Sequence, residues 1–126
     1  MEFWYLIIGS TLSLFGALFH GIVGHKKYIG NINLSNLPDV TKSLSLVSWH
    51  VFTIFLIFSA ASLAYAAFFS NNYFILYPII GINLAGLALF LFLGAGKHRV
   101  LLKLPGAYLM GGTAFFALLG LSLIHI

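Results

Sequence analysis

The sequence contains no cysteine. That excludes a disulfide, a thiolate metal site and a cysteine nucleophile, and it is silent on redox compartment. Charge is almost as scarce. Six basic and two acidic residues make up 6% of 126, where a soluble domain carries about 25%. So few charges cannot cover the surface of a water-soluble globule. They also exclude a disordered chain, which is polar and charge-rich. What is abundant is apolar: 61% of residues are hydrophobic and the mean hydropathy is +1.06. The composition is that of an integral membrane protein, with residues 1–126 forming a single transmembrane domain.

A membrane-crossing helix needs about 20 apolar residues. Residues 3–24, 43–96 and 104–126 contain no Asp, Glu, Lys or Arg. The middle stretch is too long for one crossing and breaks at Ser70-Asn71-Asn72-Tyr73, a turn-forming cluster. The expected spans are therefore near 3–24, 44–69, 74–96 and 104–125, an all-α integral membrane four-helix bundle. Glu2 stands where a signal peptide would carry a basic region, and the first apolar run is too long for one. It is expected to remain as the first helix.

Lys26, Lys27 and Lys42 fall between spans 1 and 2. Lys97, Arg99 and Lys103 fall between spans 3 and 4. All six basic residues thus lie on one side, which the positive-inside rule places in the cytoplasm, leaving both termini outside (N-out/C-out). The expected location is a bacterial inner membrane, crossed several times. Basic loops beside the bilayer attract anionic head groups, so the pI near 9.6 needs no nucleic acid. Residues 26–43 are expected to form the longest loop, with Pro38-Asp39 starting the next helix ahead of the membrane.

Small residues mark helix contacts in lipid. Span 1 has Gly9, Ser13, Gly16, His20 and Gly24 at steps of three or four. Span 2 offers Ala60, Ala64 and Ala67, span 3 Asn83, Gly86 and Gly94, and span 4 Gly106, Thr113, Ala117 and Gly120. Gly16 and Gly86 are expected at contacts too close for a larger side chain.

Five histidines are the main chemical signal. At 1.5 Å per residue, His20 lies about 6–8 Å inside the basic face and His50 roughly 9–11 Å. Ionisable groups at such depth are costly and face the bundle interior. His25 and His98 sit at the same face, and His125 at the other. Two imidazoles on neighbouring helices could ligate Zn, Cu(II) or haem iron, or pass protons. They could equally make structural hydrogen bonds to Ser48, Thr53, Asn83 or a carbonyl. Asn83, the one amide near the middle of a span, suits an interhelical hydrogen bond or a ligand contact. Gly94-Ala95-Gly96-Lys97 lacks the spacing and the Ser or Thr of a phosphate loop. Glu2 and Asp39 fall on opposite sides, which argues against a Ser-His-Asp hydrolase. No reaction is indicated.

At Trp49-His50-Val51-Phe52-Thr53 and Gly96-Lys97-His98 the sequence resembles a group of small four-helix bacterial membrane proteins. These share a Trp-His-x-x-Thr motif in helix 2 and a Gly-[Lys/Arg]-His element after helix 3. The resemblance implies that Trp49, His50, Thr53 and His98 form a linked site, and it names no activity. His25 stands where that group often carries an acid. The expectation is a protein with a ligand-binding site of His20, Trp49, His50, Thr53, Asn83 and His98 near its cytoplasmic face. It would hold a small amphipathic ligand such as a lipid or quinone, or assist a membrane complex. A metal or haem protein using His20 and His50, or a small oligomeric transporter, are the alternatives. The cofactor is not identified, and the partners expected are the bilayer, further copies of the chain or a membrane complex.

Overall fold

The computed structural model describes residues 1–69 and 73–125, and those residues are all-α. Four helices are long and apolar enough to cross a membrane: α1 (Glu2–Asn33), α2 (Asp39–Phe68), α3 (Tyr73–Ala95) and α4 (Pro105–Ile124). The second and fourth of these begin at a proline signal. Pro38, with φ −55° and ψ 149°, precedes Asp39 in the first turn of α2, where a carboxylate favours the helix dipole. Leu104 is extended and Pro105 opens α4, its missing N–H costing nothing at that position. A 3-10 segment, Arg99–Lys103, joins α3 to α4. The turn cluster 70–72 lies outside the described residues.

Helix α1 runs beyond its expected end. Most of the loop expected at 26–43 is helical, and only Leu34–Pro38 separates α1 from α2. The polar residues Asn31 and Asn33 do not break a helix as proline would. Ile29 holds the extension, being 1% exposed. Lys42 donates to the Asn33 carbonyl at 3.1 Å, a basic group meeting a helix C-terminus. At 1.5 Å per residue α1 and α2 are roughly 45–48 Å long, against about 30 Å for α4 and for a hydrocarbon core. The α1–α2 hairpin therefore exceeds α4 in length by about three turns.

α1 packs mainly against α2 and α4, and α3 mainly against α4 and only lightly on α2. Gly9, Ser13, Gly16 and Gly24 are all buried, as the small-residue stripe on α1 requires. Ser10 and Ser13 donate across to the Ala60 and Leu56 carbonyls at 2.7 and 2.9 Å. On α2 the contact face is turned from the expected one. Ser59, Ala60, Leu63 and Ala66 are buried, while Ala64 and Ala67 are only partly so. A helix apolar all round carries no polar face to mark its rotation.

The two expected glycine contacts differ in kind. A Cβ at Gly86 would run into the side-chain end of Met110. Gly16 is buried between α2 and α4, yet a Cβ there would sit 3.7–4.0 Å from Leu56 and Leu109, an ordinary contact. Where α1 meets α4, a Cβ at Gly9 would be 3.3 Å from the Thr113 carbonyl oxygen, which is backbone, one at Gly112 3.0 Å from Leu12 and one at Gly120 2.8 Å from Leu6.

The bundle is filled unevenly along its length. The buried cluster Leu6, Leu63, Ala66, Leu76, Ile79, Ile80, Ala117 and Leu121 lies wholly in the half that carries the chain termini. The other half, towards the basic segments, contains a cavity.

Candidate functional site

The cavity has a volume of about 580 Å³. Its walls are nearly all apolar: Leu12, Phe52, Leu56, Phe90, Leu109 and Met110 are typical. Glycines of α1 and α4, Gly16, Gly24 and Gly106, also line it; Trp49 and Phe90 lie close against Gly24 and Gly106, and only at Gly16 would a Cβ meet ordinary contacts. The lining holds one imidazole, His20, and one phenol, Tyr28.

His20 is held on three sides by α2. Trp49 lies flat against its ring, with centroids 3.9 Å apart and planes 11° from parallel. The indole Nε1–H of Trp49 donates to the His20 carbonyl at 3.0 Å. Thr53 Oγ1 is 2.8 Å from His20 Nδ1, and Phe52 meets the ring edge-on at 5.0 Å. Trp49 and Thr53 are four residues apart, so they share one face of α2. The fit is close: a Cβ on Gly24 would lie 2.6 Å from Trp49 Cζ2, and one on Gly21 2.9 Å from the Thr53 methyl.

His50, next to Trp49 in sequence, is turned about 100° away from it around α2. It meets His25 instead, with Nε2 to Nδ1 3.1 Å and ring centroids 5.1 Å apart. One of the two nitrogens must donate and the other accept. That His25 and His20 both reach α2 follows from the helix between them. Phe19–Ile29 is π-helical. In an α-helix, five residues turn about 500°, leaving His25 roughly 140° from His20. A π-helix bonds residue i to i+5, which brings the two rings towards one side. π segments are rare, mostly a single turn, and frequent at functional sites.

The expected residues thus divide. His20, Trp49 and Thr53 come together at the cavity. His50 joins the neighbouring pair with His25, and no hydrogen bond or ring contact links it to His20 among the described residues. His98 is exposed at the start of the 3-10 segment and does not line the cavity. Asn83 is fully buried outside the cavity. It donates to the Ile79 carbonyl at 2.8 Å and to Ser59 Oγ at 3.4 Å, and its Oδ1 has no partner among the described residues. That is an interhelical contact to α2. His125 pairs with Tyr77 at 3.2 Å at the opposite end. Among the described residues no group of three or more His, Cys, Asp or Glu is placed to hold a metal ion. His25, Phe52 and Tyr28, which is 5.7 Å from the Trp49 ring, complete the site without having been expected in it. The departure at His25 from the resembled pattern was the available signal.

No protein-family model, curated protein or solved structure matches this chain.

Proposed function

We propose that the chain is a multi-pass protein of a bacterial inner membrane that binds one small amphipathic molecule between its helices. The observation that carries this is the 580 Å³ cavity with apolar walls and a single imidazole set into them. Ligand sites typically measure about 300–1,000 Å³ and combine apolar walls with a few placed polar groups. The apolar body of the ligand would lie against Phe52, Leu56, Leu109 and Met110, and its head group at His20. The structure spends its rigid contacts on His20: a stacked indole, a hydroxyl on Nδ1 and a carbonyl bond behind it. A ring that only filled space would not need its orientation fixed.

Native mass spectrometry of the purified protein tests the reading. Wild type is expected to carry one small amphiphile, and Leu109→Trp, which fills the cavity, to carry less of it. Wild type that retains bilayer lipids but no small amphiphile would overturn it. A metal or haem adduct would also overturn it, in favour of histidine ligation.

In this reading the basic end of the bundle faces the cytoplasm and both termini face outward, because all six Lys and Arg fall at one end. The absence of cysteine makes single-cysteine labelling clean. Asn72→Cys is expected to react from outside intact cells and Asn33→Cys to be protected. The reverse pattern would reject the orientation.

A further inference from the structure

We infer that the cavity is loaded from the bilayer: a lipid-dissolved amphiphile enters sideways, from the acyl-chain layer on the basic side, through an opening between α2 and α3. This rests on the reading of the cavity as an amphiphile site, and it adds the source of the ligand and its route.

The opening follows from where burial stops. α2 packs on α1, α1 on α4 and α4 on α3, so the seam between α3 and α2 decides whether the bundle is closed. In the half that carries the termini the seam is shut. Leu63 and Ala66 of α2 share one buried cluster with Leu76, Ile79 and Ile80 of α3, and Asn83 reaches Ser59 at 3.4 Å. Beyond that bond both helices lose their cover. On α2 no residue from Asp39 to Phe55 is buried. On α3 only Gly94 is buried after Asn83, and it lies under Leu102 of the 3-10 segment.

The side chains that could have continued the seam face elsewhere. Phe52 lies seven residues before Ser59 and Phe90 seven after Asn83, each about two turns further along the same stripe. The two helices are antiparallel, so the rings stand at one level. Phe52 is turned to His20 and Phe55, with ring centroids 5.0 and 6.2 Å away. Phe90 lies against Gly106 of α4, where a Cβ would be 2.9 Å from it. No ring contact joins Phe52 to Phe90 among the described residues. Both line the cavity, so the gap between them leads into it.

The gap lies at acyl-chain depth. α4 has 20 residues, about 30 Å, the thickness of a hydrocarbon core. Phe90 sits against Gly106, Leu87 against Gly111 and Gly86 against Met110. The open stretch of α3 is therefore level with the first half of α4, on the basic side. Both flanks belong to residues 43–96, which contain no Asp, Glu, Lys or Arg. Such flanks admit hydrocarbon, whereas a ligand arriving from water would shed its hydration to pass them.

The two methionines of the chain supply the probe. Met1 is exposed at the end that carries the termini, whereas Met110 is 2% exposed and lines the cavity. Biosynthetic replacement of both by photo-methionine gives a carbene that inserts only into what it touches. The full chain is reconstituted in phosphatidylcholine vesicles with an excess of deuterated 1-palmitoylglycerol and irradiated, and peptide mass spectrometry reads the adducts at Met110. The expected product is an adduct with the deuterated probe or with a phosphatidylcholine chain. Insertion of water alone would overturn the proposal in favour of an aqueous entrance. Cross-links only within the chain or to a second copy would overturn it by showing the seam shut or covered. An adduct with a co-purified amphiphile alone would also overturn it, because the site then does not exchange with the bilayer. The route is tested with Phe52→Cys/Phe90→Cys, joined in detergent by a bis-methanethiosulfonate linker before reconstitution. The bridge is expected to remove the probe adduct and reduction to restore it, and an adduct undiminished by the bridge would reject the route between α2 and α3. The wild-type product decides whether the cavity is loaded from the bilayer even if the double variant does not fold. Wild type that labels with the probe but carries no small amphiphile from cells would remove the amphiphile reading and leave the lateral opening standing.

Discussion

Gly9→Leu is expected to lower the stability of the folded bundle by about 3 kcal/mol or more, at the upper end of what overpacking costs. Gly9 lies where α1 crosses α4, and even a Cβ would be 3.3 Å from the Thr113 carbonyl oxygen, with Leu63 at 3.4 Å and the Phe116 Cβ at 3.6 Å. The first of these is backbone and the last is fixed to backbone, so neither can swing aside as a flexible side chain would. The helices must separate, and with them the Ser10 and Ser13 hydrogen bonds to α2 are put at risk. Gly81→Leu is the control. Nothing lies within 4 Å of a Cβ there, so the change is expected to leave stability unaltered or raise it by the helix propensity gained, about 1 kcal/mol. Thermal unfolding in detergent reads both. Equal melting temperatures for the two variants would show that α1 and α4 do not cross closely at Gly9.

The contrast between those glycines bears on what was readable from the chain alone. Four helices were legible because charge-free runs of membrane length leave few alternatives, and the small residues of α1 did mark its contact face. Helix ends were less legible. Gly30, Asn31 and Asn33 look like loop residues, but Ile29 is buried and the helix continues to Asn33. Spacing alone could not separate Gly9 from Gly16, which share a stripe and differ only in what faces them. Gly9 meets a backbone oxygen, and Gly16 opens onto the cavity.

The histidine site was half legible. Depth along the helix brought His20 and His50 to one level, and the structure keeps both at the basic half of the bundle. Rotation was the missing quantity. His50 is one residue from Trp49 and so points elsewhere, while the π-helical run Phe19–Ile29 turns His25 towards it. A periodicity of 3.6 cannot reveal a stretch that departs from it. The result is a trio, His20 with Trp49 and Thr53, beside a pair, His25 with His50, in place of one pair of ligands. Trp49 and Thr53 were carried by their motif, whereas His98, from the second motif, stands apart from the cavity.

Trp49→Ala is expected to be the most damaging change at the site itself. Trp49 is half-buried, so the loss is set at about 2 kcal/mol, below the 3–5 kcal/mol of a fully buried Trp→Ala. Three contributions make it up: apolar contact in the cavity wall, the parallel stack on His20, and the Nε1–H bond to the His20 carbonyl. An aromatic stack adds about 0.5–1.5 kcal/mol beyond the area buried, and one hydrogen bond about 1 kcal/mol. Trp49→Phe separates these. It keeps a flat ring beneath His20 but cannot donate, so it is expected to lose about 1 kcal/mol and to keep the cavity. Gly24→Ala reaches the same point from the other helix. Its Cβ would lie 2.6 Å from Trp49 Cζ2, and a rigid indole relieves that only by leaving the stack. Gly24→Ala should therefore weaken retention of the bound amphiphile together with stability, whereas Trp49→Phe should weaken stability with little effect on retention. Thermal melting together with native mass spectrometry of each variant distinguishes the two. If Gly24→Ala melts like wild type and retains the amphiphile equally well, then Trp49 does not hold His20 in place.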